Sequence, residues 1–255
     1  MATHSPDFEL RLARGEDDIR AGQRLRYEVF VEELGADGAN VDHAERLERD
    51  AFDPRVDHLL LFDRARPGAP AVGVYRLLRD DMLAAGEEFY SAGEYDLSAL
   101  TGSGRRLLEL GRSCVHADYR GGAALMQLWQ GLLAYVDRHG IEVMFGVASF
   151  HGTDVAAHAP ALSLLHHRHL APPELRVTAL PRHFQPMDLI PEAEIDRPAA
   201  MRDVPALIKA YLRLGGFVGE GAFVDAPFNT IDVSIVVDIA RVPEKTRALY
   251  AGGRA

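Results

Sequence analysis

A chain of 255 residues, 47% hydrophobic and 26% charged, is long enough to bury a substantial core and has the composition of a soluble globular domain. Its formal net charge of −10 argues against general nucleic-acid binding, which depends on neutralising phosphates, although a local basic patch can still meet an acidic partner. No apolar run approaches the roughly 20 residues that span a bilayer, the N-terminus lacks a signal-peptide layout, and a lone Cys114 excludes an internal disulfide framework. A cytoplasmic address is expected.

In chain order, Phe8 to Ala13 alternates like a strand, and Glu16 to Glu33 follows with acids in its first turn and Leu25, Val29, Phe30 and Leu34 at helical spacing. Residues 35–57 are polar and loop-like. His58 to Phe62 and Ala71 to Leu78 are apolar runs joined by a Pro- and Gly-containing link, the pattern of a hairpin. Residues 80–97 read as short helix and loop. Leu107 begins a strand that ends in a polar turn, and Ala123 to His139 is an amphipathic helix closed by Gly140. A β-rich run over Ile141 to Ala148, a helix over Asp154 to His169, a short strand over Leu175 to Leu180, a helix over Asp203 to Leu214 and a strand over Ile231 to Ile239 complete the pattern. Strands alternating with helices predict an α/β fold with a mixed central sheet.

The stretch LLELGRSCVHADYRGGAA (Leu107 to Ala124) carries most chemical promise. A strand bearing Glu109 and Arg112 runs into a glycine pair at a helix start, where backbone N–H groups converge on an anion. The segment from His116 onward resembles the acyl-CoA-binding signature of the GNAT acyltransferase superfamily. That resemblance implies that Val115, Arg120, Gly121, Gly122 and Ala123 form the donor phosphopantetheine site. The family pattern has glycine where this chain has Ala123. This departure favours a donor with one phosphodiester, as on an acyl carrier protein, over free coenzyme A. As a plain structural alternative, the glycine pair simply caps a turn.

Arg26, Phe30, Asp50, Asp53, Arg76, Glu109 and Arg112, set in LRYEVF, ERDAFD, VYRLL and LELGR, resemble the charged framework of acyl-homoserine-lactone synthases. A tryptophan of that family is absent from residues 31–39, so the acceptor pocket is expected to differ. Most of residues 8–240 is more similar to the bacterial ornithine-lipid N-acyltransferases, also labelled hemolysin-like, through LRYEVFVEELG, the ERDAFD box, LELGRSCVHADYRGGAALMQLW, MFGVASFHGTD and FNTIDVSIVVDI. The resemblance implies transfer of a 3-hydroxyacyl chain from acyl carrier protein to the α-amino group of L-ornithine, giving lyso-ornithine lipid. It also implies a single GNAT-like domain over 1–255, with a core at about 8–155 and a family-specific extension with the final strand at about 156–240. The amphiphilic product adds an expected peripheral contact with the inner membrane.

The chemistry agrees with that expectation. An amine attacks a thioester only as the neutral base, and Glu109 can take its proton directly or through water. Arg26 or Arg112 can fork the acceptor carboxylate, Asp50 and Asp53 can meet its side-chain ammonium, and N–H groups near Ser113 to His116 can face the oxyanion. The alternative for the same set is a buried salt-bridge network. Charges placed in apolar strands must pair, which draws Glu109, Arg112 and Arg76 towards one another. His116 is either a proton-transfer aid beside the turn or an ordinary turn residue. Ser149 is either a lining of the acyl channel or part of the lead-in to a helix capped by Thr153 or Asp154. Cys114 reads as a small buried hydrophobe, since direct aminolysis needs no acyl-enzyme. The histidines at 151, 158, 166, 167 and 169 lack ligand-like spacing with acids, so no metal is expected, and no cofactor is called for. Arg105-Arg106 and the basic end of the Asp154 to His169 helix are candidate docking patches. A lactone synthase or an acyltransferase for another amino acid is the alternative enzyme, and a non-catalytic GNAT-like binding protein or membrane-active hemolysin the alternative class.

Overall fold

The computed structural model describes residues 5–120 and 122–245. In chain order they form β1 (Phe8–Leu12), α1 (Glu16–Arg26), β2 (Val41–Asp42), β3 (Leu47–Glu48), β4 (Asp57–Asp63), β5 (Ala71–Arg79), β6 (Tyr95–Asp96), α2 (Ser98–Thr101), β7 (Leu107–Val115) and α3 (Ala123–His139). These are followed by β8 (Val143–His151), α4 (Val155–His169), β9 (Thr178–Ala179), β10 (Phe184–Gln185), α5 (Arg197–Asp203), α6 (Ala206–Arg213), β11 (Phe217–Asp225) and β12 (Thr230–Asp238). The chain divides into two compact units. Of the described residues, the first contains those up to Met82 and Leu110–Gly140; the second contains Leu83–Glu109 and those from Ile141 to 245. Strand β7 supplies Glu109 to the second and Arg112 to the first.

In the first unit the sheet order is β1-β4-β5-β7. The expected hairpin is present: β4 runs antiparallel to β5, with Leu59 opposite Tyr75 and Leu60 opposite Val74, and β1 pairs β4 from Phe8–Asp63 to Leu12–Leu59. Helix α3 lies close to this sheet because two glycines remove the side chains that would obstruct it. A Cβ on Gly73 would meet Leu128 at 2.8 Å, and one on Gly131 would meet Leu10 at 2.4 Å. Leu25 of α1 and Val29 of the turn that follows it are buried against Leu60, Phe62, Val74 and Cys114, with Phe30 packed at the edge of this cluster. The predicted 16–33 helix is α-helical only to Arg26. Tyr27–Glu33 is a π-helix, closed by the Leu34 N–H donating five residues back to Val29 C=O (3.2 Å). The polar stretch after Gly35 is not wholly loop: Val41–Asp42 and Leu47–Glu48 pair as a miniature hairpin, and both residues of β3 are buried.

In the second unit, Leu107–Glu109 of β7 pairs in parallel with Val143–Phe145 of β8. The order continues through β12, β11 and β9 to β6. Strands β8 and β12 pair antiparallel along their whole length, from Val143–Asp238 to His151–Thr230. Asp154 caps α4 by accepting the N–H groups of Ala156 (3.0 Å) and Ala157 (3.3 Å), as its sequence position suggests. The predicted 203–214 helix is two helices. Pro205 has no N–H to continue the ladder and forces Val204 into an extended conformation, so α5 stops at Asp203 and α6 begins at Ala206. Among the described residues, no helix is long and apolar enough to cross a membrane.

Candidate active site

The first unit holds a closed ring of alternating charges. Arg26, which ends α1, donates through Nε to Glu48 Oε2 (2.5 Å) and through Nη1 to Asp53 Oδ1 (2.7 Å). Arg76 on β5 joins Asp53 Oδ1 (3.0 Å) to Asp50 Oδ1 (2.6 Å). Arg112 on β7 closes the circuit from Asp50 Oδ2 (3.2 Å) to Glu48 Oε1 (3.1 Å). Three guanidinium groups and three carboxylates thus cancel in formal charge, and each carboxylate bridges two arginines. Buried charge is tolerable only with this degree of pairing. Gln23 Nε2 (2.9 Å to Asp53 Oδ2) and the Phe52 N–H (2.9 Å to Asp50 Oδ1) add further donors.

The ring is graded in exposure. The Arg26 and Glu48 side chains are fully buried, whereas Arg112 retains 10% and Asp50 7% of their surface. The Arg112 contacts, at 3.1 and 3.2 Å, also lie at the long end of the circuit, so the Arg112–Asp50 edge is its least buried side. Arg112 has a backbone φ of +48°, unusual for a residue with a side chain, and it follows Gly111 in the middle of a strand. That kink turns the guanidinium onto Glu48 and Asp50. Burial alone would raise the Asp50 and Asp53 carboxyls. Arg76 and Arg112 overcome it at Asp50, and Arg26 and Arg76 at Asp53, so both are held below the ordinary carboxylate range. Beneath the ring, buried His58 donates from Nε2 to the Asp53 carbonyl (2.9 Å), and burial lowers its pKa.

Glu109 belongs to the second unit and is 3% exposed. Its Oε2 accepts the N–H of Tyr90 (2.8 Å) and its Oε1 that of Ser91 (2.6 Å). The turn supplying these amides is fixed by Phe89, whose ring meets Phe145 edge-on at 4.9 Å, next to the Glu109–Phe145 pair of β7 and β8. A carboxylate oxygen carries two lone pairs, so an amide contact orients it without exhausting its capacity to accept. The same unit contains a cavity of about 600 Å³ lined by Leu83, Phe89, Tyr95, Leu97, Ala179 and Leu180, among others. Glu87, Glu88 and Asp96 also line it, so among the described residues its charged lining is acidic.

The donor turn follows β7. Val115 ends the strand, and its carbonyl accepts from Arg120 Nε (3.0 Å). The terminal nitrogens of Arg120 fork onto Glu33 at 2.5 and 2.7 Å. His116 caps the Ala117–Tyr119 turn through Nδ1, which accepts the Asp118 N–H (3.2 Å). Its own N–H donates to Val72 C=O (3.0 Å), which removes it from the expected oxyanion donors. Gly122, with φ +102°, immediately precedes Ala123 at the start of α3, while Gly121 lies outside the described residues. Ser149 is exposed on β8, opposite Asp232 of β12. Cys114 is buried, and that burial pushes its thiol pKa up, consistent with a core residue. Arg105 is engaged with Asp238 (2.6 Å) and the Glu142 carbonyl (3.0 Å).

Five residues expected from the sequence, Arg26, Asp50, Asp53, Arg76 and Arg112, therefore share one network. Glu48, Gln23 and His58 belong to the same cluster and were not singled out. Glu48 opens the ERDAFD box itself, so its place in that charged motif was the available signal.

Residues 25–130 match the acetyltransferase (GNAT) domain family. A curated L-ornithine Nα-acyltransferase of Rhodobacter capsulatus is 58% identical over 253 residues, covering 98% of this chain and 97% of that protein. The chain belongs to the L-ornithine Nα-acyltransferase family. It is an acyltransferase enzyme with the GNAT fold, as expected. Among solved structures, the N-acyl amino acid synthase FeeM from uncultured soil microbes superposes with a TM-score of 0.56 at 13% identity, covering 96% of this chain and 99% of that one. The CoA-dependent acyl-homoserine lactone synthase BjaI gives 0.54 at 17% identity, over 98% and 92%. These two share the fold.

Proposed function

We propose that the protein transfers a 3-hydroxyacyl chain from acyl carrier protein to the α-amino group of L-ornithine, producing lyso-ornithine lipid. The observation that carries this reading is the charge ring, whose least buried edge is Arg112–Asp50. Ornithine brings one carboxylate and two ammonium groups. A ring of alternating guanidinium and carboxylate groups can exchange internal partners for both kinds of ligand charge, and the +1 that ornithine brings falls to zero once its α-ammonium gives up a proton. Its more exposed arginine, Arg112, takes the acceptor carboxylate, while Asp50, backed by Asp53 and Arg76, takes an ammonium. Arg26 holds the buried side of the ring in shape, and Phe30 packs on the neighbouring apolar cluster of Leu25 and Val29.

Glu109 accepts the proton that must leave the α-ammonium before attack. The neutral nitrogen then adds to the thioester carbonyl, the C–N bond forms, and collapse of the tetrahedral intermediate breaks the C–S bond. A second proton leaves the nitrogen and balances the departing phosphopantetheine thiolate. Val115, Arg120, Gly122 and Ala123 receive the donor phosphate, with Gly121 between them in sequence and His116 shaping the turn. Ser149 lines the acyl path. The product is an amphiphile, which favours a cytoplasmic enzyme with a peripheral contact at the inner membrane.

The reading is tested by incubating purified protein with 3-hydroxyacyl carrier protein and a panel of amino acids, and identifying products by mass spectrometry. Nα-acyl-ornithine is expected. Absence of any acyl amino acid would overturn the enzyme assignment; a product from another acceptor would overturn the choice of ornithine; and a lactone from S-adenosylmethionine would favour the synthase alternative.

A further inference from the structure

Arg120 has a single two-pronged face to offer an anion. Its Nε–H is committed to the Val115 carbonyl at 3.0 Å, which fixes the guanidinium plane and leaves the terminal pair, Nη1 and Nη2, as the fork. That fork is occupied by both oxygens of Glu33, at 2.5 and 2.7 Å. Glu33 is the last residue of the π-helix Tyr27–Glu33, and Arg120 lies two residues before Gly122 and the start of α3. One guanidinium face cannot serve a carboxylate and a phosphate bidentately at once. A phosphate that takes this fork must therefore displace Glu33.

We propose that Glu33 is a donor-selectivity residue, an internal anion that competes for the Arg120 fork and handicaps donors in proportion to their phosphate charge. The inference rests on the reading that Arg120 meets the donor phosphate. Displacement is feasible because the pair is half-exposed, with 44% of the Arg120 and 36% of the Glu33 side chain open to solvent, and water screens such a pair. Once displaced, the Glu33 carboxylate still sits on its own short side chain. It remains within about one Debye length, ~8 Å at physiological ionic strength, of whatever occupies the fork. A phosphopantetheine on a carrier protein brings one phosphodiester to that field, whereas coenzyme A brings a pyrophosphate and a ribose phosphate. The repulsion is therefore greater for coenzyme A, the same direction as the preference suggested by Ala123.

The test uses full-length wild type, Glu33→Gln and Arg120→Ala. Binding of 4′-phosphopantetheine is measured by calorimetry, and kcat/KM is measured with 3-hydroxyacyl carrier protein and with 3-hydroxyacyl-CoA. Glu33→Gln is expected to bind 4′-phosphopantetheine about two- to fivefold more tightly and to shift donor preference towards the CoA thioester, while Arg120→Ala binds more weakly. Unchanged or weaker binding by Glu33→Gln, with Arg120→Ala still impaired, would overturn the competitor role and leave the donor turn standing. An equal gain with both donors would overturn the selectivity. Unimpaired binding by Arg120→Ala would remove the donor-turn reading and this inference with it. If wild type transfers to no acceptor, the proposed function fails, and the calorimetry still judges Glu33.

Discussion

The candidate site holds its carboxylates differently in the two units. Glu48, Asp50 and Asp53 each bridge two guanidinium groups in the first unit, whereas Glu109 in the second receives the main-chain amides of Tyr90 and Ser91. A guanidinium partner cancels a carboxylate's charge and can be exchanged for another ion. An amide pair aims a carboxylate without cancelling its formal charge. The first arrangement suits gripping a zwitterion, and the second suits taking a proton. Binding and proton transfer should therefore fail separately when each is perturbed.

The largest effect is expected at the closed side of the ring. Replacing Arg26 with methionine leaves Glu48 and Asp53 each short of a buried partner, and should cost about 3–5 kcal/mol of unfolding free energy in urea titrations. A loss under about 1 kcal/mol would show that the ring is not a structural unit. At its open edge, Asp50→Asn should raise the KM for ornithine about ten- to a hundredfold, the equivalent of one charge-assisted contact, while kcat is largely kept. A drop in kcat at unchanged KM would blur the division between the units.

Acid should weaken the ring in a definite direction. Asp50 and Asp53 titrate below the ordinary carboxylate range when folded. They therefore bind fewer protons than the unfolded chain near pH 4, and their contribution, complete above about 3.9, is lost as pH falls towards the folded values. Urea midpoints at pH 6, 4 and 3 should decline, and more gently in Asp53→Asn. The smallest effect is expected at Cys114. Cys114→Ala should cost only about 1 kcal/mol of stability and leave turnover near wild type, since the thiol is a buried core group. Loss of turnover in a folded Cys114→Ala protein would place the chemistry elsewhere on β7.

Much of the scaffold was legible because its residues obey simple periodicities. The β4–β5 hairpin, α3 with its Gly140 stop and the Asp154 cap of α4 are local decisions that neighbouring residues make. Strand β11 was not recognised, because GFVGEGAFVD places glycines inside the run, and glycine weakens a strand. In the fold those glycines have a use. A Cβ on Gly221 would strike the Phe184 ring at 2.3 Å, and its φ of +73° sits within the register shift between Val218 and Ala222. The π-helix was invisible because adding one residue per turn does not erase an apolar stripe over two turns. Glu48 and the amides holding Glu109 were hidden for another reason: a polar stretch reads as exposed loop, and only tertiary structure shows which of its acids is buried.

The most direct test compares Glu109→Gln with Asp50→Asn at saturating 3-hydroxyacyl carrier protein, with kcat and KM for ornithine measured on both. Glu109→Gln is expected to lower kcat by at least about a hundredfold, the scale of a lost general base, with ornithine KM little changed. Asp50→Asn should show the converse. A Glu109→Gln enzyme that keeps its kcat and loses only ornithine affinity would contradict the separation of grip from proton transfer.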